Sequence, residues 1–386
     1  MLRAFTGSTI LTPTGYLGAH AVLVEGNTIS AVLERSQVPE GTQIIDLKGG
    51  ILLPGFIDIQ VNGGGGVLLN TEPTIDGIAA IMAAHRGYGT TGMLPTIISD
   101  DLEIVAQAIQ AVEAAIEASM PGILGIHIEG PFLSIAKKGA HNPAKFRVLD
   151  EGAIALLSSL KNGVTHVTLA PEETTPDMIR KLAGTGVVIS MGHTNATYAE
   201  ARAGLDAGIT GFTHLFNTMT PLVGREPGVV GAALSDKNSY ASIIVDGFHV
   251  APASLKAAIN AKGTDRTILV TDAMPSVGLS KKSFEIMGTK VIVKGGKCTY
   301  EDGTLAGSDL DMVSAVRNTR DWLGVSLADA AHMASKVPAE FLGISETHGT
   351  IEAGNRASFI LVDGDMNVQH VWIDGVGYPP TPTPTR

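Results

Sequence analysis

The stretch VVISMGHTNATYAEARAGLDAGITGFTHLFNTM, residues 187–219, carries His193 and His214, each just past a short apolar run. Two imidazoles brought to one point suit a metal ion. What must bring them there is local structure. VVISM and TGFTHL read as short β-strands. The segment between them reads as a helix: Thr197 and Glu200 have capping-box spacing, Tyr198, Ala201 and Leu205 share a face, and Gly208 suits the stop. Parallel strands joined by a crossover helix lay their C-terminal ends side by side, so both histidines reach one edge of a sheet. A lone histidine ending a strand more often bonds to backbone. Two at equivalent positions favour the metal.

The same alternation extends from Pro54 to about Leu342. Candidate strands are 56–61, 92–97, 123–128, 166–170, 187–191, 210–215, 241–246 and 267–272, with helical patterns between them. One such helix, with Leu102, Val105, Ile109, Val112 and Ile116 in register, is expected to be capped by Asp100 with Glu103, and Pro176 begins another. Eight strand-helix units over this length match an α/β fold, a (β/α)8 TIM barrel, with a doubly wound open sheet as the alternative. In a barrel the chemistry lies at the C-terminal strand ends. Those ends offer Gln60 and Asn62, then Glu129, His193, His214, Asp246 with His249, and Asp272. Glu129 follows the apolar LGIHI and precedes Gly130-Pro131, which turns its carboxylate into the barrel mouth. One carboxylate and two imidazoles are three ligands, leaving positions open as a catalytic zinc or ferrous site requires. Asp272 has no cation beside it in sequence and suits a general acid/base; a structural acid holding backbone or a ligand is the alternative reading.

Residues 1–53 and 343–386 are rich in short alternating strands. AVLVEGNTISAVLE is expected to form a hairpin at Gly26 and Asn27, and TQIIDLKGGILLPG another. Together the two ends imply a small flanking β-sandwich domain, with the barrel of 54–342 inserted. Residues 288–307 break the barrel alternation and read as an inserted hairpin, and PPTPTPTR, 379–386, reads as a disordered tail. A formal net charge of -11 argues against nucleic acid or an anionic membrane as partner. Cys298 is the sole cysteine, so a reducing compartment fits. No apolar run reaches spanning length and the first residues lack a signal-peptide core, so the chain reads as cytoplasmic.

PGFID at Pro54, HIEGPFL at His127, GHTNAT at Gly192, THLFNTM at Thr213, GREPG at Gly224, DGFHV at Asp246, VTDAM at Val270 and LAGSDL at Leu305 run in order through the chain. In this the sequence closely resembles the N-acetylglucosamine-6-phosphate deacetylase family of the amidohydrolase superfamily. The resemblance implies hydrolysis of the acetamide of N-acetylglucosamine 6-phosphate, a divalent metal on Glu129, His193 and His214, and Asp272 as acid/base. It further implies that Arg225 and His249 bind the phosphate with Asn217 and the backbone near Thr218, that His141 contacts the sugar, and that Leu305 belongs to the substrate pocket. Arg225 is then expected to reach a neighbouring subunit's site in a homodimer. The superfamily's usual His-x-His on the first strand is replaced by Gln60 and Asn62, poor zinc ligands, so one metal per chain is expected, zinc before ferrous iron. Thr218 stands where relatives often carry alanine, and with Asp309 it is expected to line the pocket. His85, His166, His332 and His348 lie off the strand ends and read as structural or exposed, and Cys298 has no assigned role. Two alternatives remain open: action on the galacto epimer or another acylamino sugar phosphate, and a metal-free barrel that binds sugar phosphate without turnover.

Overall fold

Eight aliphatic, β-branched runs form the parallel strands that the barrel requires, in the computed structural model that describes residues 1–280, 282–286 and 288–381. They are Phe56–Val61 (β1), Thr90–Ile98 (β2), Gly125–Glu129 (β3), Val164–Leu169 (β4), Val188–Met191 (β5), Gly211–Phe212 (β6), Tyr240–Ile243 (β7) and Thr267–Leu269 (β8). Each pairs with its sequence neighbour in parallel. Continuous burial along β1, β2 and β3 fits strands covered on both faces. The ring closes just past the regular ladder. Asp272 N–H donates to Gln60 O at 3.0 Å and Asn62 N–H to Ala273 O at 3.0 Å, removing the two free edges an open sheet would leave.

β6 and β8 stop earlier than the apolar runs 210–215 and 267–272 imply. Beyond them His214 and Asp272 adopt left-handed φ values of +36° and +52°, outside the extended region of a regular strand. Helices Ile75–Arg86 (α1), Leu102–Glu117 (α2), Glu151–Leu157 (α3), Pro176–Ala183 (α4), Tyr198–Asp206 (α5), Gly228–Ser235 (α6), Pro252–Lys262 (α7) and Met312–Leu323 (α8) cover the strands. On α5 the Thr197–Glu200 capping box forms with both of its bonds, and Pro176 occupies the first turn of α4. The cap of α2 falls one residue later than expected, on Asp101 without a side-chain bond. Asp100 is drawn away by Asn70 Nδ2 at 3.0 Å and by Lys145.

The terminal segments build two sheets. One joins Leu2–Thr6, His20–Glu25, Thr28–Glu34 and Gln43–Asp46; the other joins Thr9–Thr12, Gly15–Leu17, Ile51–Pro54, Phe359–Val362, Val368–Ile373 and Val376–Tyr378. The hairpin at Gly26 and Asn27 forms. The one expected within 42–55 does not: Gln43–Asp46 pairs parallel to Leu2–Thr6, and Ile51–Pro54 enters the other sheet. Lys48, Gly49 and Gly50, all at positive φ, swing the chain between the sheets. Only glycine fits at 50, where a Cβ would lie 2.7 Å from Val362 O. Between the sheets Phe5 packs edge-on to Phe359 at 4.9 Å and to Trp372 at 5.3 Å.

The inserted hairpin is larger than its sequence pattern implies, a four-stranded antiparallel sheet of Ser283–Ile286, Thr289–Lys294, Lys297–Thr299 and Leu305–Ser308. Of the proline-rich tail, Thr381 is tied down by its N–H on Gly87 O at 3.1 Å, and 382–386 lie outside the described residues. Among the described residues no helix is long and apolar enough to cross a membrane.

Candidate metal and catalytic site

Glu129 ends β3, while His193 and His214 lie just beyond β5 and β6, so three strand ends deliver three side chains to one point. Their ligand atoms lie within 4.8 Å of one another, and all three residues are buried. Glu129 Oε1 is 3.0 Å from His214 Nε2 and 3.3 Å from His193 Nε2, and the two Nε2 atoms are 3.1 Å apart. His193 Nδ1 donates to Lys137 O at 2.9 Å. A carbonyl only accepts, so the neutral ring carries its proton on Nδ1 and turns the Nε2 lone pair to the centre. Converging lone pairs of one carboxylate and two imidazoles fit a divalent cation of the zinc or iron kind, and the cluster could hold one.

Asp272 follows β8 at the other side of the same floor. Asn62 Nδ2 donates to its Oδ1 at 2.7 Å and Gln60 Nε2 at 3.2 Å. The Gln60 amide also lies 3.2 Å from both oxygens of Glu129, bridging ligand and carboxylate. Burial, and then the negative charge of Glu129, push the Asp272 carboxyl up to about 6. For Glu129 burial works upward too, but without a metal the attraction of the His193 and His214 rings beside it outweighs burial and holds the carboxyl well below its usual range.

Four residues here have left-handed backbones that side chains rarely adopt: His193 at φ +49°, His214 at +36°, Thr218 at +52° and Asp272 at +52°. Such conformations cost about 1–3 kcal/mol each and persist where neighbours over-determine them. Ser134 N–H holds His193 O at 3.0 Å, Ser242 Oγ accepts His214 N–H at 2.7 Å, and Thr194 N–H holds Thr218 O at 3.1 Å. Beneath runs a polar layer: His127 contacts Thr96 Oγ1 and Thr168 Oγ1 at 3.2 and 2.8 Å and stacks on His166 at 4.3 Å. Burial keeps both rings neutral, with the His127 ring pushed down to about 4.

A cavity of about 260 Å³ stands above the floor, and its walls include His141, Asn217, Thr218, His249 and Leu305. Ser99 N–H donates to His141 Nδ1 at 3.3 Å, which leaves the proton of the neutral ring on Nε2. Burial, and then the neighbouring His193, push this ring down to about 3, so it is a neutral donor. His249 Nδ1 is oriented by Asp246 Oδ2 at 2.6 Å, and Asn217 Nδ2 is turned to His214 O at 3.0 Å. Arg225 is not brought to this wall; it is exposed on the loop before α6, next to the exposed Leu222 and Val223. Asp309 does not line the cavity either, because Ser276 Oγ and Lys282 Nζ hold it at 2.8 and 3.0 Å behind the wall. Sequence reasoning passed over Met274, Thr304 and Gly307 on the cavity wall, and Ser99, which holds His141, although Met274 and Gly307 lie inside the VTDAM and LAGSDL runs.

A metal-ready carboxylate-imidazole cluster at the C-terminal mouth of a (β/α)8 barrel, facing a carboxylate of raised pKa, defines a class of metal-assisted hydrolases. The pattern of the Amidohydrolase family matches residues 51–376 and that of the NagA composite domain residues 3–52. The chain belongs to the amidohydrolase family. It is 46% identical over 329 residues to the N-acetylgalactosamine-6-phosphate deacetylase of Shewanella sp. (strain ANA-3), covering 85% of this chain and 83% of that protein. It is 33% identical to the N-acetylglucosamine-6-phosphate deacetylase of Haemophilus influenzae, covering 97% of this chain and 99% of that one. The crystal structure of N-acetylglucosamine-6-phosphate deacetylase from Pasteurella multocida superposes with a TM-score of 0.95 at 35% identity over 98% of this chain and all of the other.

Proposed function

We propose that this chain hydrolyses the acetamide of N-acetyl-D-glucosamine 6-phosphate, giving D-glucosamine 6-phosphate and acetate. The observation that carries the reading is the Asp272 carboxylate, fixed through Oδ1 by Asn62 and Gln60, across one cavity floor from Glu129, His193 and His214. Glu129, His193 and His214 would hold a divalent cation, which would supply Lewis-acid chemistry and lower the pKa of a water from 15.7 to about 7. Zinc suits the donor set best, and ferrous iron is the second choice. Gln60 and Asn62 act as amide donors where a second metal would need ligands, so one cation binds per chain. Asp272 takes a proton from the attacking water and returns it to the sugar nitrogen as the C–N bond breaks, so no amide anion is expelled. His141 offers Nε2–H to the sugar. His249 and Asn217 receive the phosphate, and Arg225, exposed in its own chain, supplies a guanidinium fork to the cavity of a second copy in a homodimer.

A second reading is the same hydrolysis on N-acetyl-D-galactosamine 6-phosphate, favoured by the 46% identity to the Shewanella protein. Acetate release by the metal-loaded protein from both epimers, with metal content measured on the same sample, tests the proposal. A kcat/KM higher for the gluco epimer with one metal per chain is the expected result. A galacto preference moves the substrate to the second reading, two metals at full activity refute the single-cation site, and no acetate from either refutes the reaction.

A further inference from the structure

A carboxylate that takes no part in the reaction lies directly beneath the floor. Asp58, on β1, is fully buried at the seam between β1 and β8. Its Oδ2 accepts Thr271 Oγ1–H at 2.5 Å, and its Oδ1 accepts the backbone N–H groups of Gln60 and Thr271 at 3.2 and 3.3 Å. All three donors are neutral, and burial pushes the carboxyl up to about 7. An acid in that place is costly unless its hydrogen bonds do something specific, and its neighbours Ile57 and Ile59 are the apolar residues that packing alone would select.

Every donor to Asp58 belongs to a residue that holds Asp272. Gln60 donates its side chain to Asp272 Oδ1 and its carbonyl accepts Asp272 N–H. Thr271 precedes Asp272. Because its hydroxyl gives its proton to Asp58, a lone pair is free to accept Ala273 N–H at 3.2 Å, so one oxygen grips the chain on both sides of residue 272. Ser308 completes the clamp, with Oγ on Thr271 O at 2.5 Å and N–H on Asp272 O at 3.0 Å. The left-handed backbone at 272 therefore stands on a hydrogen-bonded base whose lowest member is Asp58.

We propose that Asp58 is a positioning residue for Asp272: it sets the Thr271 hydroxyl and the Gln60 peptide, and through them the height and aim of the Asp272 carboxylate. The role rests on the deacetylation proposed above. Asp58→Asn keeps the volume but presents N–H to Thr271 Oγ1, so the hydroxyl proton must turn away from residue 58 towards Gln60 O, 3.4 Å off, and the grip on Ala273 N–H is re-aimed. Thr271→Val deletes the hydroxyl, and Thr271→Ser restores it. Metal content, kcat and KM for acetate release from N-acetylglucosamine 6-phosphate are measured for each.

Asp58→Asn and Thr271→Val lower kcat about 10- to 100-fold with KM within about threefold of the parent, and Thr271→Ser recovers most of the loss. Metal stays at the parent level. On an Asp272→Asn background, adding Asp58→Asn changes the residual rate by less than about twofold, because its effect runs through the missing carboxylate. An equal loss on both backgrounds, metal lost together with kcat, or an unchanged kcat overturns the role. If Asp58→Asn does not fold, the Thr271 pair and its Asp272→Asn double variants give the same reading. A parent that releases no acetate overturns the reaction itself, whereas parental turnover with full activity in Asp58→Asn and Thr271→Val overturns only the positioning.

Discussion

Replacing Asp272 by asparagine should stabilise the metal-free protein while abolishing its turnover, and the stabilisation should depend on pH in a defined sense. The carboxyl rises from 3.8 to about 6 because it is buried and faces Glu129. At about 1.36 kcal/mol per pH unit, that rise corresponds to roughly 3 kcal/mol. Well below pH 4 the group is protonated in both the folded and the unfolded chain, and no penalty applies. As pH rises through 6 the folded chain must ionise a group that the unfolded chain ionised earlier, so the parent loses those roughly 3 kcal/mol. Asparagine keeps the oxygen that Asn62 and Gln60 bind and has no charge to bury. With an unfolding entropy near 2.1 cal/mol/K per residue, about 0.8 kcal/mol/K for the chain, the variant should melt about 4 °C above the parent at pH 8 and within about 1 °C of it at pH 4. Asp58 is present in both proteins, and because the Asp272 charge helps to raise its carboxyl, its own penalty at pH 8 is smaller in the variant, which adds to the offset in the same sense. Thermal melts of chelator-treated protein at the two pH values measure this directly. An offset that is equal at both, or a variant that melts below the parent at pH 8, would refute the electrostatic reasoning about this carboxylate.

Other consequences are open to simple assays. In metal-loaded protein Asp272→Asn should lower acetate release about 10²- to 10⁴-fold with metal retained, as expected for loss of a general base. For the metal-loaded parent, log kcat/KM should climb with unit slope on an acid limb that ends below pH 6, because only the ionised Asp272 accepts a proton and a cation on Glu129, His193 and His214 draws its pKa down from the metal-free value of about 6; a flat acid limb would exclude it as the base. Gly139→Ala should weaken metal retention, since a Cβ there would lie 3.0 Å from His193 Cε1 on a backbone at φ +54°, and metal content after dialysis reads the effect. Arg225→Ala should raise KM, and mixing it with Asp272→Asn chains should restore roughly a quarter of parental activity if the arginine serves a second copy, because half the chains then pair into dimers with one complete site. Mixtures that stay inactive would confine Arg225 to its own chain.

The barrel strands were legible because each is an apolar run bounded by glycine or a helix cap, and parallel strands buried on both faces leave that mark. Their ends were less so. The runs 210–215 and 267–272 overstate β6 and β8, since nothing in local composition signals that His214 and Asp272 turn into left-handed backbone. The convergence of Glu129, His193 and His214 could be anticipated from topology alone, because strand order fixes which ends face one another. The hydrogen bonds from Gln60 to both carboxylates could not, as an amide in IDIQVN reads only as a missing histidine. Asp309 misled because adjacency to the LAGS strand implies nothing about facing, and Lys282, 27 positions away, decided it. In the flanking domain the Lys48-Gly49-Gly50 turn looked like a hairpin because periodicity reports strands without their partners.

The six-stranded sheet also has a history in time. Ile51–Pro54 pairs antiparallel with Phe359–Val362, so it is synthesised roughly 300 residues before its partner, a wait of about 15–60 s at typical elongation rates. By the end of that interval the nascent chain carries every residue of β1 to β8 behind a strand with one edge bare. A premature stop near residue 350 would spare Glu129, His193, His214 and Asp272, yet leave that edge uncovered for good. Ribosome-bound chains halted there should remain protease-sensitive at their N-terminal end, and those released after Ile373 should not.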